Sequence, residues 1–175
     1  MKKLILSLDV YSWVKYCVGL VLQNSSEFQV MTVYRDSGLD GIMAYPRLCT
    51  ESVEAQRRHD LLRISKKLGI RRTMNLNCSR KYIDIEQLSM NIKLQSTFNG
   101  INEIYYQYDE LLTPVINTIG KCYDIEIYSF KNENGIPKKT VDISKFYNEL
   151  HEIKDLMIGI PDRSYLDFPS VEKFY

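Results

Sequence analysis

Short apolar runs of strand length alternate along this chain with longer segments whose apolar positions recur every three or four residues. Lys3 to Leu8 is the first run, closed by Asp9. Val14 to Leu22 carries apolar residues densely enough for a buried helix, and Asn24-Ser25-Ser26 is a loop. Phe28 to Tyr34 reads as a second strand, rich in β-branched and aromatic residues. Asp36-Ser37-Gly38 and Asp40-Gly41 punctuate a longer loop through Pro46. Glu51 to Leu68 predicts a helix with Val53, Leu61, Ile64 and Leu68 on one stripe and Gly69 as its stop. Thr73 to Leu76 is a strand. Asp84-Ile85-Glu86-Gln87 has capping-box form and opens a helix with Ile85, Leu88 and Ile92 inward, ended by Asn99-Gly100. Glu103 to Gln107 is a strand, Leu111 to Ile119 a helix stopped by Gly120, and Asp124 to Phe130 an edge strand with Ile125 and Ile127 on one face. Asn132 to Pro137 is a turn. Ser144 caps a last helix with Phe146, Leu150, Ile153 and Met157 inward, and an irregular tail runs from about residue 159.

Strands alternating with helices from start to finish predict one α/β domain over residues 1–175, its sheet largely parallel and its helices on both faces. In such sheets ligands sit at the carboxyl ends of the strands. The positions just past each strand, Asp9 to Trp13, Arg35 to Gly38, Asn77 to Arg80 and Tyr108 to Glu110, are therefore the ones to inspect for chemistry. They supply four candidate acids or metal ligands, Asp9, Asp36, Asp109 and Glu110, and three candidate binding residues, Tyr11, Trp13 and Arg35.

Charge adds a second feature. The 175 residues carry 23 Lys+Arg against 22 Asp+Glu, so the chain as a whole is no polycation. Residues 47–81 nevertheless hold ten basic and three acidic residues. An excess of that size in one segment builds a local positive surface. Arg57, Arg58, Arg63, Lys66 and Lys67 of the second helix are its candidate binding residues, for an acidic protein or a nucleic acid. No helix-turn-helix, zinc-finger or RNA-recognition signature accompanies them.

Other classes fall away. No apolar run approaches the ~18 residues of a membrane span. The Met1-Lys2-Lys3 opening is cut short by Asp9 and reads as strand, not as a leader. Cys17, Cys49, Cys78 and Cys122 are scattered, which fits buried thiols in a reducing, cytoplasmic setting and no structural zinc. The phosphate-binding glycine motifs and the serine-nucleophile elbow are missing. His59 and His151, the two histidines, read as surface or packed residues. The abundance of Tyr, Ile, Lys and Asn fits AT-rich codons, as in a phage or a low-GC bacterium.

Several stretches in order resemble the LmbE-like (PIG-L-like) family of zinc-dependent N-acetylglucosaminyl de-N-acetylases. The clearest is Arg57-Arg58-His59-Asp60-Leu61-Leu62-Arg63-Ile64-Ser65-Lys66-Lys67-Leu68-Gly69-Ile70, similar to a family helix of the form RxxEAxxAAxxLGV, with Asp60 where Glu is usual. Val141-Asp142-Ile143-Ser144 and Val171-Glu172-Lys173-Phe174 are similar to its "VDIS" and closing "AExF" segments. The opening strand, loop and Gly19-containing helix, followed by Asp36-Ser37-Gly38, match its amino-terminal half. The resemblance implies a Rossmann-like three-layer α/β/α sandwich.

It does not carry the family's chemistry over. Where the family has its HPDDE loop, with two zinc ligands and a general base, this chain has Asp9-Val10-Tyr11-Ser12-Trp13. Where the family has a later ligand histidine, it has Asp109-Glu110-Leu111-Leu112. A zinc hydrolase needs about three N, O or S ligands and an open position. Asp9, Asp109 and Glu110 together would suit Mg²⁺ or Mn²⁺ better. The expectation is thus a pseudoenzyme without a cofactor, its zinc ligands missing, that binds a protein partner in the cytoplasm, a host's if the chain is phage-encoded. A remodelled metal-dependent hydrolase of an amino sugar or sugar nucleotide is the alternative, and a nucleic-acid binder using residues 57–72 the second.

Overall fold

The first strand, β1 (Lys2–Ser7), is buried on both sides, which accounts for its unbroken apolar run. Ile5 faces one core while Leu4 and Leu6 face another. The computed structural model describes residues 2–9, 11–34, 51–70, 72–78, 84–132, 135–157 and 167–175. In it β2 (Phe28–Tyr34), β3 (Arg72–Cys78), β4 (Ile101–Gln107) and β5 (Glu126–Phe130) join β1 in a parallel sheet of order β3-β2-β1-β4-β5. Sequence order reverses between β1 and β4. That is the switch point, where neighbouring connections leave in opposite directions and open a crevice.

Helices α1 (Ser12–Gln23) and α2 (Glu51–Leu68) cover one face. Trp13, Val14, Cys17 and Val18 of α1 and Leu61, Ile64 and Leu68 of α2 share a core there with Ile5, Phe28 and Val30. Helices α3 (Ile85–Asn99) and α4 (Leu112–Tyr123) cover the other face, where Leu88, Ile92, Ile116 and Ile119 pack on Leu4, Leu6, Met31 and Ile104. Each fully buried side chain of this kind contributes roughly 1.5–3 kcal/mol relative to exposure. Gly69 ends α2 as expected. Its φ of 75° lets Gly69 N–H reach Lys66 O and Ile70 N–H reach Ser65 O, a Schellman stop.

Three expectations need correction. Gly120 does not stop α4, which runs on to Tyr123. The residue is small because a Cβ there would come 2.5 Å from Ile127 Cγ1. Ser144 does not cap the last helix. Asp142 Oδ1 takes its amide and hydroxyl, a 3₁₀ turn spans Ser144–Phe146, and α5 (Tyr147–Leu156) starts after it. The carboxyl-terminal segment is not irregular throughout. β6 (Lys139–Asp142) and β7 (Val171–Phe174) pair antiparallel, and Tyr175 exchanges both backbone hydrogen bonds with Ser129 of β5. Residues 158–166 of the expected tail lie outside the described residues, as do Arg35, Asp36 and the loop that follows. Phe174 seals this pair against the first core, edge-on to Tyr105 at 5.2 Å, while Tyr128 stacks on Tyr105 at 4.9 Å.

Candidate functional site

Two aspartates stand two residues past the strands that flank the switch point, Asp9 after β1 and Asp109 after β4. A helix begins directly after each, and the first amides of a helix have no partner within it. Both carboxylates supply one. Asp9 Oδ1 accepts N–H from Tyr11 (2.8 Å) and Ser12 (2.7 Å), and Asp9 Oδ2 accepts the Ser12 hydroxyl at 2.5 Å. Asp109 Oδ1 accepts N–H from Leu111 (2.8 Å) and Leu112 (3.3 Å), and its carbonyl takes the amide and hydroxyl of Thr113. Asp9 is buried, Asp109 half-buried and Glu110 exposed.

Gln107, at the end of β4, closes the crevice between them. Its Oε1 accepts Leu8 N–H at 3.0 Å and the Ser7 hydroxyl at 3.2 Å, so a buried amide laces β4 to β1. Ser7 lies in register with Thr32 of β2, and Thr32 with Asn75 of β3. A row of neutral polar residues thus crosses the carboxyl end of the sheet. Among the described residues, the buried Thr32 hydroxyl and the Trp13 indole N–H have no hydrogen-bond partner.

Tyr11 and Trp13 fill the space beside the crevice instead of lining an opening; they are 3% and 0% exposed. The Tyr11 hydroxyl donates to Asp60 Oδ2 at 2.7 Å, and Gln56 donates to Asp60 Oδ1 at 2.8 Å. Burial pushes the Tyr11 phenol well above its usual pKa. The hydrogen bond to Asp60, that residue's charge and the charge of Asp9 push the same way, while Arg57 pulls it back. The phenol therefore stays protonated and donates. Asp60, completely buried, ties α2 to the loop after β1.

Arg57, 8% exposed, belongs to this buried group and not to the surface. Arg58, Arg63, Lys66 and Lys67 are exposed on α2, beside Leu62 at 60% exposure, and Lys67 pairs with Glu152 of α5. His59 and His151 are exposed, and so is Cys122, where a buried thiol was expected; Cys17 is buried. Among the described residues no three His, Cys, Asp or Glu side chains group to hold a metal ion. The donor set argues the same way, because both Asp9 oxygens serve their own loop and Ser12 is its hydrogen-bond donor. These residues do not fit the zinc of the resembled family. Among the described residues no helix is long and apolar enough to cross a membrane.

Sequence reading missed Gln107, Gln56 and Ser7. Neutral amides and hydroxyls leave no spacing signature, and only the end of β4 beside the end of β1 could have singled out Gln107.

Solved structures share the fold. N,N′-diacetylchitobiose deacetylase from Pyrococcus horikoshii is similar over 99% of this chain and 82% of its own, with a TM-score of 0.71 and 12% identity. The A40926 pseudoaglycone deacetylase Dbv21 is similar over 99% of this chain and 95% of its own, at 0.68 and 10%. The 4-carboxy-2-hydroxymuconate hydratase GalB from Pseudomonas putida KT2440 is similar over 95% of this chain and 81% of its own, also at 0.68 and 10%. No family model matches the chain, and no curated protein matches it in sequence. The chain has the α/β fold of the LmbE-like deacetylases. A hydratase with that fold shows that the fold alone does not choose the reaction.

Proposed function

We propose that this chain is a non-catalytic binding protein on a deacetylase-like scaffold. The observation that carries the reading is the mutual satisfaction of the switch-point residues. Asp9 is consumed by Tyr11 and Ser12, Tyr11 by Asp60, and Gln107 by Ser7 and Leu8. A general base or metal ligand needs lone pairs directed at a substrate or ion. Here they are directed at neighbouring protein groups. The test is to supply the purified protein with zinc, manganese and magnesium in turn, then measure bound metal by elemental mass spectrometry and hydrolysis of acetylated amino sugars. Neither stoichiometric metal nor turnover is expected. One metal per chain, with turnover that Asp9→Ala abolishes, would overturn the reading and favour the hydrolase.

The surface assigned to the partner is the exposed face of α2. Arg58, Arg63 and Lys66 surround Leu62 there, which suits a protein presenting carboxylates around an apolar side chain. An acidic, leucine-containing peptide should bind, and the R58E/R63E/K66E variant should not. If duplex DNA or RNA binds instead, with affinity falling steeply with salt, the nucleic-acid alternative replaces it.

A further inference from the structure

The sheet carries a second group of titratable side chains, toward the amino ends of its strands and away from the switch point. Glu103 of β4 lies in register with Lys3 of β1 on one side and Glu126 of β5 on the other. Tyr105, two residues on, shares its face of the strand. Lys139 of β6 reaches over this face. Its Nζ donates to the Tyr105 hydroxyl at 2.9 Å, and that hydroxyl donates to Glu103 Oε2 at 2.5 Å. An amine, a phenol and a carboxylate thus form one unbroken hydrogen-bonded chain. We infer that Lys139 is a nucleophile that takes the acyl group of a small acyl phosphate, with Tyr105 and Glu103 as its proton outlet.

A lysine becomes a nucleophile when its ammonium loses a proton and an acceptor for that proton stands within reach. Here the acceptor is fixed. Tyr105 is completely buried, with Tyr128 stacked on its ring and Phe174 edge-on to it. An ion pair with Lys3 at 3.7 Å holds Glu103 in place. Burial, and after it the hydrogen bond to Glu103, raises the Tyr105 pKa well above the usual phenol value, so Tyr105 passes a proton on instead of holding a negative charge. The amine is confined as well, with Nζ 5.4 Å from the Tyr105 ring centre and 5.8 Å from that of Tyr128. Burial lowers the Lys139 pKa and Lys3 adds to the fall, while Glu103 and Glu126 act against it. Lys139 is only half-buried, which leaves it open to a small donor.

The ammonium gives one proton to Tyr105 as Tyr105 gives its own to Glu103. Nζ then attacks the acyl carbonyl carbon; the C–N bond forms and the C–O bond to phosphate breaks. Phosphate leaves with the electron pair and takes the second proton, and the third stays on the amide nitrogen. The product is a neutral, acylated Lys139, so the reaction modifies each chain once and involves no turnover.

The test is incubation of the full chain with acetyl phosphate at pH 8, with acetylation of each lysine followed by peptide mass spectrometry. Lys93 and Lys121, both exposed, are internal standards. Lys139 should acetylate at least about tenfold faster than either, and its rate should level off at a lower pH than theirs. Tyr105→Phe keeps the ring and removes the relay. It should bring Lys139 down to the rate of the standards while leaving the standards unchanged. A Lys139 in the parent chain that reacts no faster than Lys93 and Lys121 overturns the nucleophile, with no variant needed. A parent-like Lys139 rate in Tyr105→Phe overturns the proton outlet.

Discussion

The carboxyl group of Glu172 in β7 grips the backbone of α1 at Gly19. Oε2 accepts Gly19 N–H and Oε1 accepts Leu20 N–H, each at 2.8 Å, and the side chain is 1% exposed. The approach requires a residue without a side chain. A Cβ on Gly19 would collide with Ile143 Cγ2 and stand 3.1 Å from Glu172 Oε1. Gly19→Ala should therefore destabilise the fold by about 1–3 kcal/mol, as overpacking does. Urea denaturation would measure this, and a loss below the error of the method would mean that β6 and β7 shift without cost.

The same contact predicts an inverted pH dependence. Burial lifts the Glu172 pKa from 4.5 to about 8, although the two amide hydrogen bonds act to lower it. The folded chain therefore holds a proton that the unfolded chain releases near pH 4.5. Stability from this group is complete below that pH and is lost as pH rises through about 8. Most buried carboxylates with partners behave in the opposite way. Thermal midpoints between pH 5 and 8.5 should fall with rising pH in the parent chain, and the Glu172→Gln variant should flatten that slope while losing one amide acceptor. An equal slope in both proteins would assign the proton elsewhere.

How far such contacts are legible in the chain depends on what they are made of. β1, β2 and α2 show in the apolar pattern because burial on a fixed face repeats with a fixed period. β7 does not, because its inward positions are Glu172 and Phe174, and a buried carboxylate breaks the apolar alternation. Gly120 misled because a glycine that ends a helix and one that admits a neighbouring side chain look alike in one dimension. At the site, Asp9 was visible as an acid past a strand. Its work as a helix cap was not, since that depends on where its oxygens point. The link from Tyr11 to Asp60 joins residues 49 apart, and no local pattern reports it.

The capping role of Asp9 makes its own prediction. Asp9→Ala should cost about 0.5–2 kcal/mol, the usual range for losing a helix cap. Asp9→Asn keeps an oxygen for the Tyr11 and Ser12 amides and should recover most of that loss. Chemical denaturation of the two variants separates the roles. A catalytic or metal-binding Asp9 would leave stability nearly unchanged in both.

Tyr11→Phe provides the sharpest probe of the filled crevice. The change removes one oxygen and leaves the ring in its place. Asp60 then loses the donor to its Oδ2 while remaining buried, with Gln56 still on Oδ1. A buried charged acceptor stripped of one partner costs about 1–3 kcal/mol. The folded phenol also titrates well above its ordinary value of 10.0, so the parent chain loses stability as pH climbs past 10 and the unfolded phenol begins to ionise. The variant lacks that phenol and should lose less over the same pH interval. Equilibrium unfolding at pH 7 and pH 10.5 would show both effects: a lower midpoint for Tyr11→Phe at pH 7 and a smaller drop on moving to pH 10.5. If the variant is as stable as the parent at pH 7, the Tyr11–Asp60 bond does not hold α2 to the switch point, and the proposal of a crevice closed by its own side chains loses its main support.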